Sequence, residues 1–114
     1  MNIHSTYRRA GAFLVAIDGR FALVDQQLEQ VHILNTAGAW VWTRLGTTVA
    51  VPAEFRPATA AFVRELERLG LLSDVPGAEA IALAGALNEP PAVLSSVPLQ
   101  VAANTSADPF RTAF

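Results

Sequence analysis

The chain contains no cysteine. That absence excludes disulfide bridges, thiolate nucleophiles and cysteine-ligated zinc or iron–sulfur centres. Its two histidines, His4 and His32, stand far apart, so neither a metal site nor any other cofactor is expected. Charge is also scarce: 16% of the 114 residues are charged, and the formal net charge is −2. A nucleic-acid binder carries a basic face, whereas the basic residues here are few and scattered, so no nucleic-acid partner is expected. Long hydrophobic runs are missing as well. The run from Ala10 to Ile17 stops at Asp18, well short of the ~20 residues a spanning helix needs, and no membrane partner is expected. Arg8 and Arg9 before it imitate a signal peptide, but the run is short and flows into Asp18–Gly19, so it reads as a strand. Cytoplasmic location is the default expectation. Catalytic constellations are absent too. There is no Gly-rich phosphate loop and no Ser-His-Asp set, and Asp18 and Asp25 flank turns, where aspartate is favoured for local hydrogen bonding. The chain does not read as an enzyme.

What is present is an apolar chain of one small domain, 52% hydrophobic, with enough apolar residues to bury a core. The stretch from Val31 to Leu45, VHILNTAGAWVWTRL, organises it. Val31 to Leu34 is a short β-branched and aliphatic run. Asn35 or Thr36 follows, and either side chain can accept from the unpaired first N–H groups of a helix. At helical pitch Ala37, Gly38, Val41, Trp42 and Leu45 share one face. Trp42 is therefore expected in the core, while Trp40 and Arg44 fall off that face. Trp40 then has two open readings, a contact residue or a packing residue against the tail. A small residue at Gly38 or Ala39 allows a neighbouring strand to approach closely.

Upstream, Met1 to Arg9 is polar and reads as loose. Phe13 to Ile17 and Phe21 to Val24 are strands joined by Asp18–Gly19, a hairpin signal because both central positions of a type I′ turn need φ > 0. Phe13, Val15 and Ile17 lie on one strand face, an alternation that suits a sheet with one buried face. Asp25 to Gln30 is a polar turn, and Val31 to Leu34 makes a third antiparallel strand. Such a sheet has edges that offer unpaired N–H and C=O groups to an extended peptide.

Downstream, Gly46 ends the first helix and Pro52 opens a short turn, PAEFR. Pro57 sits near the start of a second helix that runs to about Leu69, with Phe62, Val63, Leu66 and Leu69 on its apolar face. Gly70 is placed as its left-handed cap, and Leu71 and Leu72 return to the core. From Ser73 onward the composition shifts to small residues and proline. Ala78 to Leu87 suggests a weak helix that Pro90–Pro91 stops. Val93 to Val101 is β-prone, but Pro98 argues against a central strand. The last dozen residues look disordered, and no internal repeat is evident.

The meander, followed by LNTAGAWVWTRL and then FVRELERLGLL, resembles the PqqD-like peptide chaperones, the recognition domains of ribosomally made, post-translationally modified peptide pathways. The residues that carry the resemblance are Leu34-Asn35, Gly38 and Ala39, Val41-Trp42, Leu45, Phe62-Val63, Leu66 and Gly70-Leu71-Leu72. Together they cover about two-thirds of the chain. One departure is the segment holding Pro52 and Pro57, where such chaperones usually have a full middle helix. The resemblance implies a small α+β winged-helix-like domain over residues 1–74, with a three-stranded antiparallel sheet followed by two to three helices. An Ala/Pro-rich, partly ordered extension occupies residues 75–114.

It also implies peptide binding rather than catalysis. The leader of a precursor peptide would be held and presented to a modifying enzyme, often a radical SAM enzyme. The leader would add as a strand beside Val31, His32, Ile33 and Leu34 and pack against Phe62, Glu65, Leu66 and Leu69, in the manner of β-augmentation. Oligomeric state is left open between monomer and homodimer, since sheet edges can pair between copies. Alternatives are a winged-helix DNA-binding regulator and a structural subunit of a partner enzyme.

The plainer readings stand beside these. His32 points opposite Val31 and Ile33 and reads as a solvated strand residue rather than a ligand or base. Arg64, Glu65, Glu67 and Arg68 read as a solvated helix face. The tail has two readings: a low-complexity cover for the helix side of the core, or a segment that Pro91, Val93 and Leu94 let lie on a recognition groove, its own or a neighbour's.

Overall fold

The computed structural model describes residues 6–77 and 83–99. Asp18 and Gly19 both take positive φ, 51° and 73°, and join β2 (Ala12–Ile17) to β3 (Arg20–Asp25) as the hairpin expected. The next turn is built by Asp25, whose Oδ1 accepts from the backbone N–H groups of Gln27 and Leu28 at 3.1 and 3.2 Å. It leads into β4 (Gln30–Leu34).

Here the expected three-stranded sheet is corrected. A fourth strand, β6 (Val93–Pro98), pairs antiparallel with β4, so the sheet order is β2-β3-β4-β6. The extension thus joins the fold. Pro98 is tolerated because β6 is an edge strand. The Leu99 N–H donates to the Glu29 carbonyl at 2.7 Å. Donors alternate along an antiparallel ladder, so the Pro98 nitrogen points away from β4 and no ladder bond is lost.

The N-terminal segment is also corrected. Far from loose, Tyr7–Arg8 forms β1, which pairs with β5 (Leu72–Ser73) in a separate two-stranded sheet. Arg8 donates to the Trp42 and Leu45 carbonyls at 3.0 and 3.3 Å, at the C-terminal end of the first helix, where carbonyls lack a full set of helical partners. Arg9 forms an ion pair with the fully buried Asp25. Residues 1–5 lie outside the described residues.

Helix α1 (Thr36–Arg44) starts at Asn35, whose Oδ1 accepts from the Gly38 N–H at 2.7 Å. A short 3₁₀ turn, Ala53–Phe55, stands where a middle helix would be and runs directly into α2 (Arg56–Arg68). Pro57 sits in the first turn of α2, where its missing N–H is not needed. At the other end Gly70, at φ 75°, donates to the Glu67 carbonyl, and Leu71 donates to the Leu66 carbonyl. These are the two bonds of a Schellman cap, and Leu66 and Leu71 complete it with a fully buried contact.

Residues opposite one another across a ladder share a face. Leu14, Leu23, His32 and Ser96 therefore line one face of the sheet, and Phe13, Val24, Val31 and Val97 the other. The core lies on the first face, where Leu23 and Leu34 join Trp42, Val41, Phe62 and Leu66. So the buried face is not the one that carries Phe13, Val15 and Ile17; Phe13 and Ile17 remain 42% and 59% exposed. Trp42 is fully buried as expected. Trp40, which falls off the helix face of Trp42, is also buried, and of its two readings the packing one holds: the extension covers it, and its Nε1 donates to the Gly85 carbonyl at 3.1 Å. Residues 83–87 are not helical, and the rest of the helix expected over 78–87 lies outside the described residues, as do residues 100–114. No described helix is long and apolar enough to cross a membrane.

Candidate functional site

The site is the edge of β4 where it meets the start of α1. Asn35 is its centre. Its Oδ1 accepts a second hydrogen bond, from the Ala92 N–H at 2.9 Å, and its Nδ2 donates to the Pro90 carbonyl at 2.7 Å. Its backbone N–H donates to the Ala92 carbonyl at 3.2 Å. One residue therefore caps α1 and clamps the chain that enters β6. An amide does this well, since it offers an acceptor with two lone pairs and a donor in one plane.

Gly38 makes room for this clamp. A Cβ there would come within 3.0 Å of the Ala92 carbonyl oxygen and 3.2 Å of the Phe62 ring. The close approach expected at Gly38 is thus an approach of the extension's backbone, with Phe62 of α2 forming the opposite wall.

Beyond the clamp, β6 runs along β4 with Val93 opposite Leu34, Ser95 opposite Ile33, Ser96 opposite His32 and Val97 opposite Val31. A bulge at Leu94 takes up the odd residue and leaves that side chain 62% exposed. Val93 packs against the core.

His32 is corrected from a solvated residue to a fully buried one. Its Nδ1 lies 2.7 Å from the Ser96 Oγ, with the direction of donation set by the imidazole tautomer. Its Nε2 has no hydrogen-bond partner among the described residues. Burial holds the imidazole below its usual range, while the Asp25 and Glu65 carboxylates pull it the other way. Glu65 is itself held low, chiefly by its hydrogen bonds from Arg68.

The eight residues expected to form a peptide site divide by role. His32 and Leu34 face α1 and α2, whereas Val31 and Ile33 turn to the opposite face of the sheet and meet β6 through their backbone. Phe62 reaches the clamp, and Glu65 acts electrostatically on His32. Leu66 is fully buried and Leu69 half-buried against the core, so both support α2 from within. The strand positions and α2 are thus brought together, around an edge that β6 fills. Ser96, Ala92 and Pro90 were not among the expected site residues. Only the Pro-Pro pair and the β-prone run after it hinted at them. Among the described residues no group of three or more His, Asp or Glu side chains gathers where it could hold a metal ion.

The geometry defines a class, an α+β domain with a four-stranded antiparallel sheet whose last strand, β6, is clamped onto β4. Comparisons with protein-family models, with curated proteins and with solved structures return no match.

Proposed function

We propose that this chain is a non-catalytic peptide-recognition domain. In this reading it holds the leader of a ribosomally made precursor peptide and presents it to a modifying enzyme, a radical SAM enzyme among the candidates. The order of the hairpin, β4, α1 and α2 is read as a winged-helix-like arrangement of the PqqD type. The observation that carries the proposal is β6 itself. An extended segment, remote in sequence, lies on the β4 edge in antiparallel register and is clamped by Asn35. A leader bound by strand addition would use the same backbone groups for affinity and the same side chains for selectivity. The DNA-binding alternative has less support, because one of the arginines of α2, Arg68, is turned onto Glu65.

The test is an amide-resolved NMR titration of the full chain with a leader peptide encoded beside its gene, and with a scrambled peptide as control. Saturable shifts at residues 30–35 and 62–69 with the leader alone are expected. A folded protein that shifts with neither peptide overturns the proposal. Binding to duplex DNA that weakens steeply with salt would favour the regulator instead.

A further inference from the structure

The strand that fills the edge is held unevenly, and that unevenness carries information about what else the edge accepts. Three features of the segment Glu89–Leu99 are read by side chains. The Pro90 carbonyl and the Ala92 backbone are clamped by Asn35, with Gly38 leaving room for the Ala92 carbonyl. Val93 packs against the core. Ser96 places its hydroxyl 2.7 Å from the buried His32. By contrast Leu94 and Ser95, which are exposed as Ser96 is, border an open hollow beside Phe21 and Ile33, and no side-chain hydrogen bond to the rest of the fold is seen for either among the described residues.

We infer that β6 is a resident substitute ligand, and that the β4 edge selects peptides of its pattern: an aliphatic residue, two unrestricted residues, then serine or threonine. The inference rests on the peptide-binding reading and extends it to the chemistry of the peptide. The aliphatic side chain supplies apolar burial at the Leu34 end. The hydroxyl satisfies an imidazole that is otherwise cut off from water, so a ligand lacking it leaves a buried polar group unpaired. A free peptide must displace β6, and its apparent affinity is reduced by the fraction of molecules whose edge is open.

The probe is a synthetic peptide of residues 89–99, with versions changed at the positions of Val93, Leu94, Ser95 or Ser96 to alanine, and of Ser96 to threonine. It is titrated into the wild-type chain and into the full-length Val97→Pro variant. Donor alternation aims the Val97 N–H at β4, so the proline removes a ladder bond and opens the edge. The variant is expected to bind the peptide at least about tenfold more tightly than the wild type. Alanine in place of Val93 or Ser96 should weaken binding about tenfold, with threonine restoring it and changes at Leu94 or Ser95 having little effect. Equal binding of all versions overturns the selectivity and leaves peptide capture standing. No binding of this peptide, in a chain that does bind a precursor leader, overturns this inference alone. If Val97→Pro folds poorly, the same series in excess over the wild-type chain, read at the amides of residues 30–35, yields the same ranking or refutes it.

Discussion

The two outer strands of the β2–β3–β4 meander differ in what stands beside them. β2 ends the sheet on one side, and among the described residues no strand pairs with its outer edge. Phe13 and Ile17 of that strand lie exposed on the face turned away from the helices. β4 has the same kind of backbone edge but adds a wall. Asn35, Gly38 and Phe62 surround the point where the extension enters β6, and His32 meets Ser96 further along. Backbone hydrogen bonds alone would let a strand add to either edge. Side chains along β4 fix the register and direction in which β6 lies.

The comparison breaks most completely at Gly38. Gly38→Leu drives a side chain into the Ala92 carbonyl and the Phe62 ring, and overpacking of this kind costs about 1–3 kcal/mol. Denaturant melts should show that loss. Hydrogen exchange should show β6 amides losing protection while the β2–β3 hairpin keeps its own. Asn35→Ala comes next. It removes the helix cap, worth about 1 kcal/mol, together with both side-chain bonds to the extension. Asn35→Asp keeps the acceptor for Gly38 and Ala92 and loses only the donor to Pro90, so its loss should be the smaller of the two in the same melts.

Acid should weaken the β4 edge further. Burial favours the neutral His32 ring in the folded chain. Above about pH 6.5 the ring is neutral in both folded and unfolded states, and its contribution is fully present. As the pH falls, the unfolded chain takes up the proton first, and stability is lost towards the lowered folded value. Asp25 and Glu65 oppose the trend by favouring the cation. Thermal melts across this window should fall more for the wild type than for His32→Gln. The smallest effect is expected at the other edge. Ile17→Lys, at a position 59% exposed, should change stability by less than about 0.5 kcal/mol and leave β6 exchange untouched.

The parts of this fold that were legible in the sequence are those whose cause is local. Asp18–Gly19, Asn35 before its helix and Gly70 after its own each meet a backbone requirement within a few residues. The choice of sheet face was not legible. β2 and β3 carry apolar residues on both sides, Phe13 and Val15 against Leu14 and Leu23, so a two-residue period fixes the faces but not which is covered. That error turned His32 outward. The pairing of β4 with β6 was suggested only as one of two uses of the tail, because its partners are 59 to 68 residues apart and share no local signal. β1 left no trace, since two residues, Tyr7 and Arg8, are too few to show a period.

Pro98 has a consequence for stoichiometry. Every strand added to a sheet brings a new edge, and an edge that can accept a guest can go on accepting them. On the outward side of β6 the ladder meets a bulge at Leu94 and then a nitrogen without hydrogen at Pro98. A further strand would find its bonding row interrupted at both ends. Growth of the sheet on the β6 side is therefore blocked at both ends of the strand, so that pairing does not run on from that side into a polymer.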